Sequence, residues 1–498
     1  MQQYILSIDQ STQGTKALLV DLQGNLIARN DVAHRQIVDE NGWVSHDPNE
    51  IYKNLLESVH GLLARAGIDA GEIACMGISN QRETALAWDR MTGMPACNAI
   101  VWQCARSQPI CERVLAAGYG EMVLRRTGIP VSPFFPASKL TWILENIPEA
   151  HALLHQRRLC LGTVDTWLIY KLTGGKEYRT DYSNASRTQL LNLETLNWDS
   201  DVCAVFGIDP ADLAEICDSD AVFGTTDLEG LLDAPIPICG VLGDSHAALF
   251  AQGCHTRGMT KATYGTGSSV MMNVGSAPVF SKHGLVSSLA WRRHGQVQYV
   301  LEGNINYTGA VIRWLEKDLG LIAAPEESQR LAEQADPDDR TYLVPAFTGL
   351  GAPYWASDAR ATICGMSRLT RRAELVRAAL DSIAYQITDV VRSMEQDAQL
   401  RLQTLRVDGG ATKNSYLMQF QSDILGVEVS IPSAEELSGL GAAYMAGLAC
   451  GMLADDVFEN LKRQLCRPVM LPLRRNALYR GWLDAIHSVL AEQNHPVA

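Results

Sequence analysis

One arrangement recurs along this chain and constrains its fold more than any other feature: a strand-like apolar run that ends at a turn rich in glycine, serine and threonine. "YILSIDQSTQGTKALLVD" (4–21) places Asp9 at the end of an apolar run, then a small polar turn over 10–15, then a second apolar run. "TKATYGTGSSVMMNVG" (260–275) brackets another such turn at 265–269, and "LRVDGGATKN" (405–414) follows Asp408 with a third at 409–412. Apolar runs of this length joined by tight turns predict strands, and 4–9, 17–21 and "LIARNDV" (26–32) predict an antiparallel meander. The recurrence of strand, polar turn and strand early in each half predicts a diverged duplication, with the division near 245–258.

At 498 residues the chain exceeds one ordinary core, and its length suggests two to four domains. The net charge of −14 makes nucleic acid or an anionic membrane surface an unsuitable main partner, but leaves room for a local phosphate site. Twelve cysteines occur without any C-x-x-C pair, so neither a zinc framework nor a thioredoxin-type site is indicated, and a reducing compartment is expected. "MQQYILSID" lacks the basic and long apolar parts of a secretory leader, and no apolar stretch is long enough to span a bilayer; a cytoplasmic location is expected.

Two helices are marked by their periodicity. Over 48–66, Asp47 is placed to cap, Pro48 to start and Glu50 to complete a capping box; Ile51, Leu55, Leu56, Val59, Leu62 and Leu63 form one face, and Gly67 ends it. Over 374–394, Leu375, Ala379, Ile383, Ile387 and Val391 share a face, with Thr370 as the expected cap. "IACMGISNQRE" (73–83) predicts a buried strand entering a polar loop, and "LSGLGAAYMAGLACG" (437–451) a small-residue helix suited to close backbone packing.

A Gly/Ser/Thr turn after a strand presents several backbone N–H groups to one small concavity, a geometry that holds phosphate oxygens. A single turn of this kind is most often an ordinary hairpin; three of them, two beside a carboxylate, are harder to explain so. No G-x-x-x-x-G-K-[ST] loop exists, and "YGTGSSV" carries Val270 where a dinucleotide fingerprint needs glycine.

These motifs, with "IDQSTQGTK" (8–16), "GISNQRET" (77–84), "VDTWLIYKLTGG" (164–175), "DYSNASRT" (181–188), "GDSHAALFAQG" (243–253), "TYGTGSS" (263–269), "VPAFTGLGAPYW" (344–355), "LRVDGGATKNSYLMQFQSDILG" (405–426) and "LGAAYMAGLA" (440–449), resemble the FGGY family of carbohydrate kinases, in the pattern of its glycerol-kinase branch. The resemblance runs from about residue 4 to 450. It implies an α/β chain with the two-lobed, duplicated ribonuclease-H-like fold shared by actin, sugar kinases and chaperone ATPases, with mixed sheets flanked by helices. The lobes would be 1–250, with the first phosphate loop and the substrate pocket, and 251–498, with the second phosphate loop and the adenosine site. ATP and Mg²⁺ are the implied cofactors. The implied partner is a small polyol or sugar, and a homo-oligomer, dimer or tetramer, is expected.

The resemblance also assigns residues. Asp9 is similar to the acid that holds Mg²⁺. Thr12, Gln13, Gly14 and Lys16 match the first phosphate loop, Thr266 and Gly267 the second. Gly410 and Asn414 match the adenosine contact, with Gly309 and Arg313 on the same nucleotide side. Asp244 matches the general base, where a carboxylate facing the acceptor hydroxyl would take its proton; His246 is the rival, more often a neighbour than the base. Arg82 and Glu83 match a polyol-binding pair: arginine offers a fork of donors and glutamate two acceptors, which vicinal hydroxyls need. Read from the residues alone, the pair could equally be a surface ion pair. Trp102 and Gln103 would wall the pocket, with Trp102 alternatively a core residue.

Four positions depart from the glycerol-kinase pattern. Lys16 stands for arginine, Arg313 for glutamine, Phe134 for a tyrosine that reaches the substrate, and Ser245 for glutamine. Loss of one polar contact and shortening of another leave room for a larger or differently branched polyol. The loop before "IPICGVLGD" also lacks the Gly-Gly-Thr-Arg stretch linked to sugar-bisphosphate inhibition in that branch. The expectation is therefore a polyol or sugar kinase, with a glycerol kinase as one alternative and a nucleotide-binding switch or inactive homologue as another. A switch would need Asp9 and the phosphate loops but not Asp244 together with Arg82 and Glu83.

Overall fold

The computed structural model describes residues 3–491. Its frame is two mixed sheets. In the first, β1 (Tyr4–Gln10), β2 (Gly14–Asp21) and β3 (Leu26–Ala33) form the antiparallel meander, and β4 (Ile73–Asn80) joins β1 in parallel. The sheet is completed by β5 (Thr225–Thr226) and β6 (Ile236–Gly243), in the order β5-β6-β4-β1-β2-β3. In the second, β7 (Thr260–Tyr264) and β8 (Ser268–Gly275) form the hairpin around the second turn, beside β9 (Val286–Arg293) and β10 (Gln296–Ile305). Next to β7 lie β11 (Thr404–Asp408), parallel to it, then β12 (Glu428–Pro432) and β13 (Arg463–Cys466), in the order β9-β10-β8-β7-β11-β12-β13. The two sheets repeat one topology: an antiparallel hairpin, a parallel strand beside its first member, and a further parallel strand outside that.

Helix α1 (Pro48–Ala66) begins as expected, with the Asp47 side chain accepting from the Asn49 N–H, and ends at Gly67, whose φ of +63° only glycine takes readily. The capping box does not form. Glu50 accepts instead from the Arg35 N–H at 3.0 Å, because the chain entering the helix passes within its reach. Helix α2 (Asp244–Ala251) follows β6 directly. The long helix α3 (Arg372–Ala398) extends beyond the expected 374–394 at both ends. Thr370 does not cap it: its hydroxyl donates to Asp339, while Glu374 accepts from the Arg371 N–H at 2.8 Å.

Helix α4 (Ser415–Leu425) packs under α3, and α5 (Leu437–Ala449) is the small-residue helix. Although it follows the second sheet in sequence, α5 lies on β1, β4 and β6 of the first sheet and against α2. A methyl group on Gly441 would overlap the Ala247 carbonyl, and one on Gly77 would overlap that of Ala442. The backbones therefore touch where side chains would otherwise hold them apart. Ile5, Val20, Leu242, Ala247, Leu440 and Ala443 share this core with Met271 and Val300 of the second sheet, which ties the two halves together. Among the described residues no helix is long and apolar enough to cross a membrane.

Candidate active site

Asp9, Arg82, Glu83 and Asp244 converge where the parallel strands of the first sheet end, the usual place for a crevice in such sheets. The register puts Asp9 beside Ser79, and Gly243 beside Asn80. Asp9 is buried at 5% exposure and accepts a hydrogen bond from the Ser79 hydroxyl at 3.0 Å. Burial pushes its pKa up to about 6; Lys16 opposes that shift, and Asp244 and Glu436 add to it. Among the described residues the one cation paired with Asp9 is Lys16, 3.9 Å away, and a buried carboxylate so loosely paired suits a divalent cation. Among the described residues no three acidic, histidine or cysteine side chains form a cage for one on their own. Mg²⁺ would not need one, since it keeps several waters and shares its shell with phosphate oxygens.

Both hairpin turns are open to an anion. The amide N–H groups of Thr12, Gln13, Thr266 and Gly267 make no hydrogen bond among the described residues. The turns are nevertheless shaped rigidly: Ser11 N–H donates to the Gly14 carbonyl at 2.8 Å, and Gly265 N–H to that of Gly267 at 3.0 Å. Gly309 presses against the second turn, where a side chain would lie 2.6 Å from the Gly265 carbonyl oxygen. Gly410 faces open space, while Gly409, at φ +98°, backs onto Tyr264. Asn414 is occupied structurally: it accepts from the Leu417 N–H at 3.0 Å as the cap of α4, and donates to Ser328. Arg313 is exposed. Lys16 is not a free cation, because Glu436, which also holds Arg29, takes its ammonium at 2.6 Å.

The polar loop expected after β4 is present and buried: Gln81, Arg82, Glu83 and Thr84 are all inside. Burial is possible because the charges are paired. Arg82 donates both terminal nitrogens to Glu302 at 2.9 Å each, and its Nε lies 3.1 Å from Asp244. Glu83, at φ +61°, accepts from Arg187 Nε at 2.6 Å. Arg187 also lies 2.9 Å from Glu302, which receives the Ser269 hydroxyl at 2.8 Å. The two guanidinium groups hold the Glu302 carboxyl well below the usual carboxylate range. Arg82 and Glu83 are therefore not a surface ion pair. They belong to a four-residue network that joins the two sheets.

Sequence reading missed Glu302 and Arg187. A signal existed for Glu302, a lone charge inside the apolar run "YVLEGNI" of β10. Arg187 sits in "DYSNASRT" with nothing local to distinguish it.

Asp244 opens α2, about one-third exposed, and the Ser245 N–H turns back to it at 2.6 Å. Gly243 before it leaves room for Arg82, whose side chain would come within 2.6 Å of a methyl there. His246 is fully buried, and burial together with the Arg82, Arg187 and Lys261 charges pushes its pKa well down. An uncharged, enclosed imidazole is a poor proton acceptor for a substrate in the cleft. Ser245 is half-buried beside Asp244.

Trp102 is half-buried, not core, and its indole N–H donates to the Thr12 hydroxyl at 2.9 Å. Its ring meets Phe134 at 5.4 Å between centroids, and Phe134 meets Phe135 at 5.1 Å. Arg187 lies over the Phe135 ring at 5.2 Å. Beneath them the buried Lys139 donates to the Phe134 carbonyl, and burial pushes its pKa down to about 7. The aromatic wall thus runs from the first hairpin turn to the ion network. Gln103 lies exposed on the turn after Trp102.

Comparison with known proteins shows the family and the fold. The model for the N-terminal domain of the FGGY family of carbohydrate kinases matches residues 4–251, and that for the C-terminal domain matches 260–450. A glycerol kinase of Geobacillus sp. is 43% identical over 494 residues, covering 99% of this chain and 100% of that one. A glycerol kinase of Chromobacterium violaceum is 46% identical, covering 98% of each. Among solved structures, the Plasmodium falciparum glycerol kinase with ADP superimposes with a TM-score of 0.91 at 35% identity, covering 98% of both chains. The xylulose kinase of Lactobacillus acidophilus shares the fold, with a TM-score of 0.88 at 22% identity. With two duplicated sheets, a phosphate-type turn in each and full-length relatives, the chain belongs to the FGGY family of carbohydrate kinases, ATP-dependent phosphotransferases with an alcohol acceptor.

Proposed function

We propose that the chain transfers the γ-phosphate of ATP to a hydroxyl of a small polyol, with Asp244 as general base. The observation that carries this reading is Asp244 at 3.1 Å from Arg82, at the mouth of the network and beside Asp9. Arg82 fixes the Asp244 carboxylate, and so orients its free oxygen toward a hydroxyl that also meets Arg82 and Glu83. Phe134 and Trp102 offer an apolar wall to the C–H face of the polyol, and Gln103 and Ser245 line its polar side. Thr12, Gln13, Gly14, Thr266 and Gly267 would cradle the phosphates, with Gly309, Arg313, Gly410 and Asn414 on the adenosine side. Asp9 would hold Mg²⁺, which when bound neutralises charge on the phosphates. The halves 1–250 and 251–498 would act as lobes whose closure excludes water from the γ-phosphate. Twelve free cysteines suit a reducing, cytoplasmic setting.

The names of the relatives point to glycerol as the acceptor, while Phe134 and Ser245 point to a larger or branched polyol. A coupled ADP-release assay across glycerol, erythritol, xylulose and ribulose decides between them. Glycerol as the best acceptor by kcat/KM would favour the first, and a four- or five-carbon polyol the second. No turnover on any polyol, ketose or aldose would defeat the proposal.

Asp9 gives the proposal a pH signature. Its folded-state pKa of about 6 exceeds its ordinary 3.8, so folding takes up a proton between those values. The stability this contributes is complete below 3.8 and lost as pH rises through about 6. Mg²⁺ needs the ionised form. At subsaturating Mg²⁺, turnover is expected to fall as pH drops through about 6, and excess Mg²⁺ to move the midpoint downward. A midpoint indifferent to Mg²⁺ would remove Asp9 from the metal site.

A further inference from the structure

Three cysteines far apart in sequence meet at one point of the first sheet. Cys75 lies on β4, Cys239 on the neighbouring β6, and Cys450 directly follows the last residue of α5. The Cys239 and Cys450 sulfur atoms are 3.0 Å apart. Cys75 and Cys239 are buried behind the sheet, whereas Cys450 is exposed. An oxidant from solvent therefore reaches one thiol of the group first, and the other two stand behind it.

We infer that Cys450 is a peroxide-sensitive modification site, with Cys239 as the thiol that resolves it to a disulfide. The chemistry balances as follows. The Cys450 thiolate attacks a peroxide oxygen; the O–O bond breaks, an S–O bond forms, and the peroxide leaves as an alcohol or water after taking a proton. The sulfur is oxidised by two electrons to the sulfenic acid. Cys239 then attacks the Cys450 sulfur; the S–O bond breaks, the S–S bond forms, and the hydroxide leaves as water with the Cys239 proton. Two thiols and one peroxide give one disulfide, one alcohol and one water.

Reaching a bonded S–S distance needs the sulfurs to approach by about 1 Å, a movement that the terminal residue of a helix can supply. The electrostatics agree: the neighbouring Cys239 and Cys75 thiols hold the Cys450 pKa below the ordinary cysteine value, and the thiolate is the form that reacts. The link would fasten α5, which follows the Lys16 partner Glu436, to β6, which leads into Asp244.

The test is peptide mapping of the full chain after brief exposure to hydrogen peroxide and alkylation of remaining thiols; it needs no activity assay. The half-buried Cys97, Cys217, Cys364 and Cys466 are internal controls. The expected product is a Cys239–Cys450 cross-linked peptide, formed about tenfold faster than oxidation at any control and reversed by dithiothreitol. In Cys239→Ser, Cys450 should accumulate as a sulfenic acid that a cyclic 1,3-dione traps; in Cys450→Ser, Cys239 should stay reduced. Controls oxidising before Cys450, or Cys450 passing to sulfinic acid without a link to Cys239, would overturn the inference. So would a Cys75–Cys450 link as the main product.

Discussion

Asp244→Asn is expected to lower turnover about a thousandfold, within the range that one general base contributes, while ATP affinity changes by no more than about threefold. The substitution keeps the size of the side chain and an oxygen for Arg82 Nε, 3.1 Å away, so the acceptor hydroxyl keeps its neighbours. It removes only the capacity to take a proton. His246 cannot substitute, because burial and three nearby cations keep it neutral and enclosed. The same variant carries a second signature. Asp244 is one of the charges that raise the Asp9 pKa, so the acid limb of the pH profile should move toward lower pH. Rapid-quench and steady-state kinetics on the best polyol read both. Turnover within a few fold of the parent would show that Asp244 is not the base.

Glu302→Gln is expected to cost about 3–5 kcal/mol of stability, the usual cost of leaving buried charges without their partner. Glu302 is fully buried and faces the guanidinium groups of both Arg82 and Arg187. An amide of the same shape leaves two cations opposed by Glu83 and the partly exposed Asp244 alone. Such a loss is a large part of the roughly 5–15 kcal/mol that ordinarily separates folded from unfolded chains. The shift of the urea midpoint, followed by tryptophan fluorescence, measures it. Adding Arg187→Leu, which removes one stranded guanidinium, should recover part of the loss. A cost below about 1 kcal/mol would mean that solvent reaches the network.

The two expectations differ in how visible they were from the sequence. Asp244 stands in a motif, after an apolar run and at a helix start, so its placement is local. The meander, α1 and α5 were legible for the same reason: alternation, Asp47 with Pro48, and a run of glycine and alanine each act over a few residues. The errors were also local in kind. Glu50 and Thr370 sit at spacings that permit caps, but Arg35 and Asp339, brought near by the fold, offered better partners. No local signal pairs Lys16, matched to the first phosphate loop, with Glu436, 420 residues away along the chain.

The sequence by itself determined the duplicated strand-and-turn plan, the family, and the positions of the acids and glycines at the strand ends. Tertiary structure alone decided the charge balance of the site. Arg82 with Glu302 and Glu83 with Arg187 are separated by 220 and 104 residues, and no periodicity links such positions. The physical reason is desolvation. A charge pressed into the interior must find its counter-charge in whatever strand packs against it, and only the packing of the two sheets fixes which strand that is.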